Sequence, residues 1–145
     1  MDKKERNHAE QNAQGHAESI LELYQAFVAL EDGSESVTVD GETFNETDAI
    51  IERVSEMPLS VEVRSAWHIP SEKENSGEFQ ILLSTGGPAL RIVGELDENA
   101  CPCGNFSLEH QDWGTPWTEY HPDVESREDW ESALDWFVGT FYFGE

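Results

Sequence analysis

Apolar residues near the start of the chain recur at the spacing of one face of an α-helix. They lie three or four positions apart, which places them on one side of a helix. These residues are Ile20, Leu23, Tyr24, Phe27 and Val28. The Ala- and Gln-rich stretch 9–17 either extends the helix or frays from it, and the segment 31–34 ends it. We therefore predict an N-terminal helix with one buried side.

A short β-hairpin is predicted after this helix. Two short segments with strand-forming residues, Val37–Val39 and Glu42–Phe44, flank the dipeptide Asp40-Gly41. Asp-Gly favours the positive φ angles that a type I′ turn requires at both of its central residues. A two-residue loop of this type between two strand-like segments is a strong local signal for a hairpin.

The middle of the chain alternates between apolar and polar residues, as half-buried strands do. The predicted strands cover residues 59–64, 79–83, 90–96 and 105–111. In the first of them Leu59, Val61 and Val63 are the inward positions, and in the last Phe106 and Leu108 are. The connections between these strands are short, which favours an antiparallel meander.

Two further helices are predicted, one after the hairpin and one near the C-terminus. Asn45 or Thr47 is expected to cap the first, and Pro58 follows its end. The segment 126–129 (Ser-Arg-Glu-Asp) begins the second and resembles a capping box in which Asp replaces Glu or Gln. The apolar sides consist of Ile50, Ile51 and Val54 in the first and of Trp130, Leu134, Phe137, Val138 and Phe141 in the second, which ends near Gly139. We therefore predict one acidic α+β domain over residues 1–145, with an antiparallel sheet of about four to six strands packed with N-terminal and C-terminal helices.

The charge of the chain adds a strong constraint on function. Thirty-one Asp and Glu oppose eight Lys and Arg, which gives a formal net charge of −23. After Asn7 the basic residues are isolated in the sequence and number five: Arg53, Arg64, Lys73, Arg91 and Arg127. Self-repulsion on this scale destabilises a compact state, so it requires a basic partner, a high-salt environment or disorder. The apolar content of 37% and the aromatic content of 10% argue against disorder.

The candidate catalytic and ligand sites are weak. Cys101-Pro-Cys103, with His110 or His121, has a spacing of one residue and lacks a second Cys pair, so we expect two free thiols and no metal. Gly86-Gly87-Pro88 lacks the lysine of a phosphate loop and is interpreted as a tight turn. Carboxylate pairs are too abundant to indicate a glycosidase. We predict that the protein is not an enzyme and has no cofactor.

Membrane and nucleic-acid partners are also disfavoured. The sequence has no apolar run near 18 residues and no apolar segment behind its charged N-terminus, so we expect neither a membrane span nor a secretory signal. The two cysteines fit a reducing cytoplasm. A chain this acidic does not attract phosphate, so direct binding of nucleic acid is not expected.

One aromatic stretch is a candidate binding segment. Residues 111–120 interleave two tryptophans and Tyr120 with acids in a loop that contains Gly and Pro. Tyr and Trp are typical anchors of protein interfaces, and acids beside them suit a basic partner. The alternative is that Trp113 and Trp117 close the end of the sheet as core residues, which fits the tryptophans slightly better than an interface does.

Two segments of the chain resemble a group of small proteins encoded by phages, prophages and other mobile elements. They are STGGPALRIVGELD at 84–97 and QDWGTPWTEY at 111–120, and the aromatic end Phe141–Phe143 extends the likeness. The resemblance covers about the central third of the chain. It implies a small accessory protein of a mobile element. Tasks common among such proteins include blocking the host defence machinery that binds nucleic acid.

Charge, aromatics and resemblance together predict an acidic inhibitor that imitates nucleic acid. The expected partner is a host defence protein with a channel lined by Lys and Arg, either a CRISPR effector subunit, which would make this an anti-CRISPR protein, or a restriction or other defence nuclease. The expected place of action is the host cytoplasm. The predicted contact residues are Asp112, Trp113, Trp117, Glu119, Tyr120, Asp123, Glu125, Glu128, Asp129, Glu131 and Asp135. The alternatives are an accessory protein adapted to high salt, or a small enzyme of the mobile element.

Overall fold

A computed structural model describes residues 8–65, 77–85, 88–97, 99–112, 115–141 and 143. The elements in chain order are α1 (His8–Glu31), β1 (Val37–Val39), β2 (Glu42–Phe44), α2 (Thr47–Ser55), β3 (Ser60–Ser65), β4 (Gly77–Ser84), β5 (Ala89–Leu96), β6 (Pro102–Gln111), β7 (Thr118–Glu119) and α3 (Arg127–Gly139). Within these ranges, three helices and antiparallel sheets of two and five strands confirm the predicted α+β class.

The contacts within the chain divide it into two compact units. Unit 1 contains the start of α1, up to Gly15, and the chain from Pro58 to Pro122 with the five-stranded sheet. Unit 2 contains the rest of α1, the hairpin and α2, together with α3. That residues 1–145 act as one domain stays a prediction.

The sheet of unit 1 is a meander in which each strand pairs with the next, in the order β3-β4-β5-β6-β7. Val61 lies opposite Ile81, Ile81 opposite Ile92, and Ile92 opposite Leu108. Because paired residues point to the same side of a sheet, this register forms one apolar face. The predicted meander is confirmed, and the two-residue strand β7 was not predicted.

The inward positions of β3 were predicted wrongly. Leu59, Val61 and Val63 are exposed, with relative accessibilities of 61%, 37% and 52%. Val61 and Val63 share a face with the buried Ile81 and Phe79, but β3 lies at the edge of the sheet. An edge strand has a neighbour on one side only, so its apolar side chains remain at the margin of the core.

The start of α1 is bound to the sheet of unit 1. Asn12 Nδ2 donates to Ser84 Oγ at 2.9 Å, on the last residue of β4. Tyr120, directly after β7, donates its hydroxyl to Gln14 Oε1 at 2.7 Å. The Ala- and Gln-rich stretch 9–17 lies within α1, so it extends the helix rather than fraying from it.

Unit 2 has the predicted hairpin and two helical segments joined by aromatic packing. Asp40 and Gly41 have φ angles of 51° and 80°, as a type I′ turn requires. The Trp136 ring of α3 lies 5.7 Å from Tyr24 and 5.3 Å from Phe27 of α1, between ring centroids. Such aromatic pairs add to the stability that burial alone provides.

The cap of α2 differs from the prediction. Neither Asn45 nor Thr47 takes the N-cap position: Glu46 does, with an extended backbone and no side-chain hydrogen bond to the helix. Thr47 is already the first helical residue. Asn45 and Thr47, which flank Glu46, are better capping residues by type, but the N-cap is the residue between them.

Candidate functional site

Helix α3 has its predicted start, and its buried side contains the predicted apolar residues except Phe141, which lies beyond the helix and is half-buried. Ser126 Oγ accepts a hydrogen bond from the backbone N–H of Asp129 at 3.1 Å, which fixes the first turn. The buried residues of the helix are Trp130, Ala133, Leu134, Phe137 and Val138. The cap and this apolar stripe set the rotation of α3 and therefore decide which acids face solvent.

Three carboxylates form a row on the opposite side of α3. With about 100° of rotation per residue, Glu128, Glu131 and Asp135 fall within an arc of about 60°, roughly opposite Phe137. All three are exposed, and none has an ion-pair partner among the described residues. We name these residues the α3 acidic row. It spans about 10.5 Å of helix at a rise of about 1.5 Å per residue.

The other predicted acids of unit 2 lie beside this row rather than in it. Asp129 is exposed but is rotated by about 100° from Glu128. Glu125 is exposed and precedes the N-cap, so it is not part of the helix. Asp123 is exposed in the connection that leads to α3.

The acidity of the chain is concentrated in unit 2. Residues 16–57 and 123–142 contain 17 Asp and Glu against Arg53 and Arg127, a formal charge of −15. The rest of the chain has −8 of the total of −23. Exposed acids at helical spacing also occur on α1, at Glu18 and Glu22, and along α2. Unit 2 is therefore a small body with a dense negative surface.

The predicted contact residues of unit 1 are used largely in its own structure. The Arg91 guanidinium lies 4.1 Å from the centroid of the half-buried Trp117 ring, a favourable cation–π distance. Glu119 accepts from the Ser107 hydroxyl at 3.3 Å. Tyr120 is bound to α1, as described above, and its ring meets His110 edge-on at 5.9 Å.

Of two further predicted residues in this segment, one lies in a local turn and the other is not among the described residues. Thr115 bonds back to Asp112, donating its backbone N–H to the Asp112 carbonyl at 3.1 Å, so this acid sits in a tight turn. Trp113 lies outside the described residues, as do Gly86 and Gly87 of the predicted turn. Trp117 thus supports the core-like alternative more than the anchor, and Glu119 remains an exposed acid.

A polar network crosses the second face of the sheet and was not predicted. Arg91 donates to Glu109 Oε1 at 2.9 Å and to Gln80 Oε1 at 2.7 Å, and Gln80 donates to Glu62 Oε1 at 3.0 Å. Arg64 donates to Glu78 Oε1 at 2.6 Å. The network lines a cavity of 590 Å³. The alternating polar positions of β3 to β6 were its only signal in the sequence.

The cysteines and histidines form no ligand set in the part of the chain that the structure describes. Cys101 is exposed and Cys103 half-buried, and both are free thiols. No group of three His, Cys, Asp or Glu side chains there is placed to hold a metal ion. Separately, none of the described helices has both the length and the apolar composition needed to cross a bilayer.

Comparisons of the chain with protein-family models, with curated proteins and with solved structures find no match.

Proposed function

We propose that the protein is an acidic inhibitor, encoded by a mobile element, that acts in the host cytoplasm on a nucleic-acid-binding defence complex. It occupies a channel lined by Lys and Arg in a CRISPR effector or a defence nuclease, where it takes the place of DNA or RNA. The observation that carries this proposal is the charge of unit 2, which reaches −15 over 62 residues and includes the α3 acidic row.

The spacing of charges on α3 supports imitation of a nucleic-acid strand. The α3 acidic row places three carboxylates on one face of the helix along about 10.5 Å, or one per about 5 Å. A strand of B-DNA has one phosphate per about 3.4 Å of axis. The two spacings are of the same order, so long and flexible Arg and Lys side chains that meet phosphates can also reach these carboxylates and form charge-assisted hydrogen bonds with them.

A rigid support makes this surface effective. The buried side of α3 and the Ser126 cap hold the row in one orientation, so little conformational freedom is lost when it meets a partner. Dense negative charge also accelerates the encounter with a basic channel, to on the order of 10⁸–10⁹ M⁻¹s⁻¹ at low salt. An inhibitor can thus compete with a substrate that is present at a high local concentration.

The test measures displacement of labelled DNA from a panel of purified CRISPR effector complexes and restriction nucleases. We expect the protein to displace DNA from at least one member, and the apparent affinity to fall by on the order of tenfold between 50 and 300 mM NaCl as screening increases. If no member of the panel loses DNA at any protein concentration and salt, the inhibitor proposal is refuted for these classes of target.

Charge reversal locates the contact. Replacing Glu128, Glu131 and Asp135 with Lys should weaken inhibition on the order of 100-fold or more, because coupling between close charge pairs begins at about 1.5 kcal/mol per pair. The control reverses the same number of charges at the scattered exposed acids Glu35, Glu46 and Glu56. Equal losses in the two variants would mean that net charge acts and not the row.

Both variants must remain folded for this comparison. Exposed substitutions usually change stability within about ±0.5 kcal/mol, and Lys is a good helix former. Glu128 lies in the first turn of α3, where a positive charge is unfavourable by about 0.3–1 kcal/mol. Circular dichroism and thermal unfolding of each variant confirm the fold before inhibition is measured.

Adaptation to high salt is the competing explanation for the charge. It requires that the protein unfolds near 50 mM NaCl and refolds in molar salt, because screening would then be necessary for folding. An inhibitor that works in ordinary cytoplasm must be folded at about 150 mM. Circular dichroism across this range separates the two explanations without knowledge of the target.

A further inference from the structure

Among the described residues, β3 has a paired strand on one side only. β3 stands at the end of the strand order, paired with β4 on its inner side. In the part of the chain that the structure describes, no strand pairs with its outer side. An unpaired edge presents backbone N–H and C=O groups to any second strand.

β3 lacks the lysines and prolines that commonly protect an edge strand. Its central apolar residues are exposed, with Val61 at 37% and Val63 at 52%. Its two charged residues, Glu62 and Arg64, compensate each other. Natural edge strands are commonly blocked by lysines, prolines or bulges, and the six residues of β3 contain no lysine or proline. β3 is thus a neutral, apolar edge in a chain of net charge −23.

The sequence of β3 complements itself in the antiparallel direction. When two copies pair about a twofold axis at Val63, Glu62 of each copy lies opposite Arg64 of the other. Val63 lies opposite Val63 of the second copy. A shift by two residues in either direction would place Glu62 opposite Glu62 or Arg64 opposite Arg64. Like charges directly opposite each other are destabilising, so charge selects the register centred on Val63.

The side chains involved have bonding capacity left for a second chain. Arg64 is 80% exposed and bonds Glu78 through Nε and Nη2, so Nη1 points to no acceptor among the described residues. Glu62 accepts from Gln80 through Oε1. Its second carboxylate oxygen can accept from the opposing arginine, since directly opposite Cβ atoms lie about 4.5–5.5 Å apart.

We propose that two copies of this chain associate through β3, in antiparallel register about Val63, to form a continuous ten-stranded sheet. The contact is small: two six-residue strands bury less than the roughly 1,200 Å² of a standard interface. Contacts of this size are typical of weak, transient association, so the dimer should dissociate on dilution. It is independent of the α3 acidic row, which lies in the other unit.

Salt acts on this dimer in the direction opposite to its action on inhibition. Two chains of −23 repel each other, and the screening length falls from about 8 Å at 0.15 M salt to about 3 Å at 1 M. We expect the dissociation constant of the dimer to fall by about tenfold between 0.05 and 1 M NaCl. Sedimentation equilibrium at several concentrations measures it, and a chain that stays monomeric at millimolar concentration in 1 M NaCl overturns the proposal.

Cysteine cross-linking tests the register. In a background with Cys101 and Cys103 replaced by Ser, Val63→Cys places two thiols on the twofold axis, where opposite Cα atoms lie about 4.5–5.5 Å apart, within disulfide reach. Val61→Cys is the control, because its symmetry mate lies four residues away along the strand, or about 13 Å. We expect at least tenfold faster oxidation to a covalent dimer for Val63→Cys. Equal rates, or no cross-linking at position 63, overturn the register.

A charge variant tests the same contact independently of cross-linking. Val63→Lys should weaken the dimer at least tenfold although it reduces the net repulsion, because two lysines would meet on the axis. Val39→Lys, in the hairpin of unit 2, makes the same substitution away from the edge and should leave the dimer unchanged. If Val63→Lys abolishes binding of a defence complex while the wild-type chain stays monomeric, the edge receives a strand of the partner and self-pairing is refuted.

Discussion

Replacing Gly94 with alanine should destabilise unit 1, although the change adds a single methyl group. Gly94 lies in β5, between two residues at which the pairing with β6 shifts register. A Cβ at this position would lie 2.6 Å from Phe106 Cδ1 and 2.6 Å from Phe79 Cε2. Carbon atoms in contact prefer about 3.5–4.0 Å, so each ring would have to move by about 1 Å.

Phe79 has little room for such a movement. It is 2% exposed, and its ring centroid lies 5.5 Å from Phe106 and 4.6 Å from Phe143. Phe106 is half-buried and can yield outward more easily. Overpacking of a filled core lowers the free energy of unfolding by about 1–3 kcal/mol. Replacing glycine also reduces the freedom of the unfolded chain, which offsets about 0.4–1 kcal/mol of this loss. We expect a net loss of about 1–2 kcal/mol, or about 2–8 °C in melting temperature.

Gly15→Ala is the matched control, because it should change stability in the opposite direction. Gly15 is exposed inside α1, and a Cβ there would meet nothing within 4 Å. Alanine in a helix interior is favoured over glycine by about 0.5–1 kcal/mol. Urea unfolding followed by circular dichroism at fixed salt gives both free energies of unfolding. If Gly94→Ala is as stable as Gly15→Ala, the two phenylalanine rings do not close over Gly94.

A second substitution checks the mechanism. Phe106→Leu removes part of the ring that the new methyl group meets, so the combined variant should lose less than the sum of the two single changes. Residues in contact show coupling of about 0.5–3 kcal/mol in such cycles. Strict additivity would show that the cost at Gly94 arises from the backbone of β5 and not from the rings.

Three further predictions concern a cap, an arginine and salt. Ser126→Ala should cost about 1 kcal/mol, because the N–H of Asp129 loses its acceptor, and Ser126→Asp should restore most of it in urea unfolding. Arg91→Ala should cost about 2 kcal/mol, because it removes charged hydrogen bonds to the mostly buried Glu109. Arg91→Lys, which keeps the charge but not the stacking on Trp117, should lie between wild type and Arg91→Ala in the same assay. The melting temperature of the whole protein should rise between 0.05 and 1 M NaCl in scanning fluorimetry, and a fall would contradict net self-repulsion.

The predictable parts of the fold are those specified by neighbouring residues. The Asp40-Gly41 turn and the Ser126 cap depend on side chains one to three positions away, and both are confirmed. The phase of α3 follows from its cap and its apolar spacing, so the sequence predicts a solvent-exposed acidic side that includes Glu128, Glu131 and Asp135. Short-range interactions fix such turns and caps, so the local sequence is enough to predict them.

The parts that were missed depend on residues distant in sequence. Alternation correctly placed Val61 and Val63 on the same face as buried residues of β4, but both valines are exposed. Burial also requires a neighbouring strand on each side, and the order of the whole meander places β3 at the edge of the sheet. Arg91 and Glu109 are 18 residues apart in sequence, and Gln14 and Tyr120 are 106 residues apart. No spacing rule along one helix or strand reveals such pairs, which only the register brings together.

The arrangement of charge explains why these two proposals are separable by experiment. Uniform acidity would make every contact with a second copy repulsive and every contact with a basic partner attractive. Instead, unit 2 has −15, while β3 in unit 1 has one Glu and one Arg at positions that match across a twofold axis. Added salt weakens attraction between opposite charges and relieves repulsion between like ones. Inhibition that falls with salt while dimerisation rises would therefore assign the two activities to different surfaces, and parallel changes would show that one surface serves both.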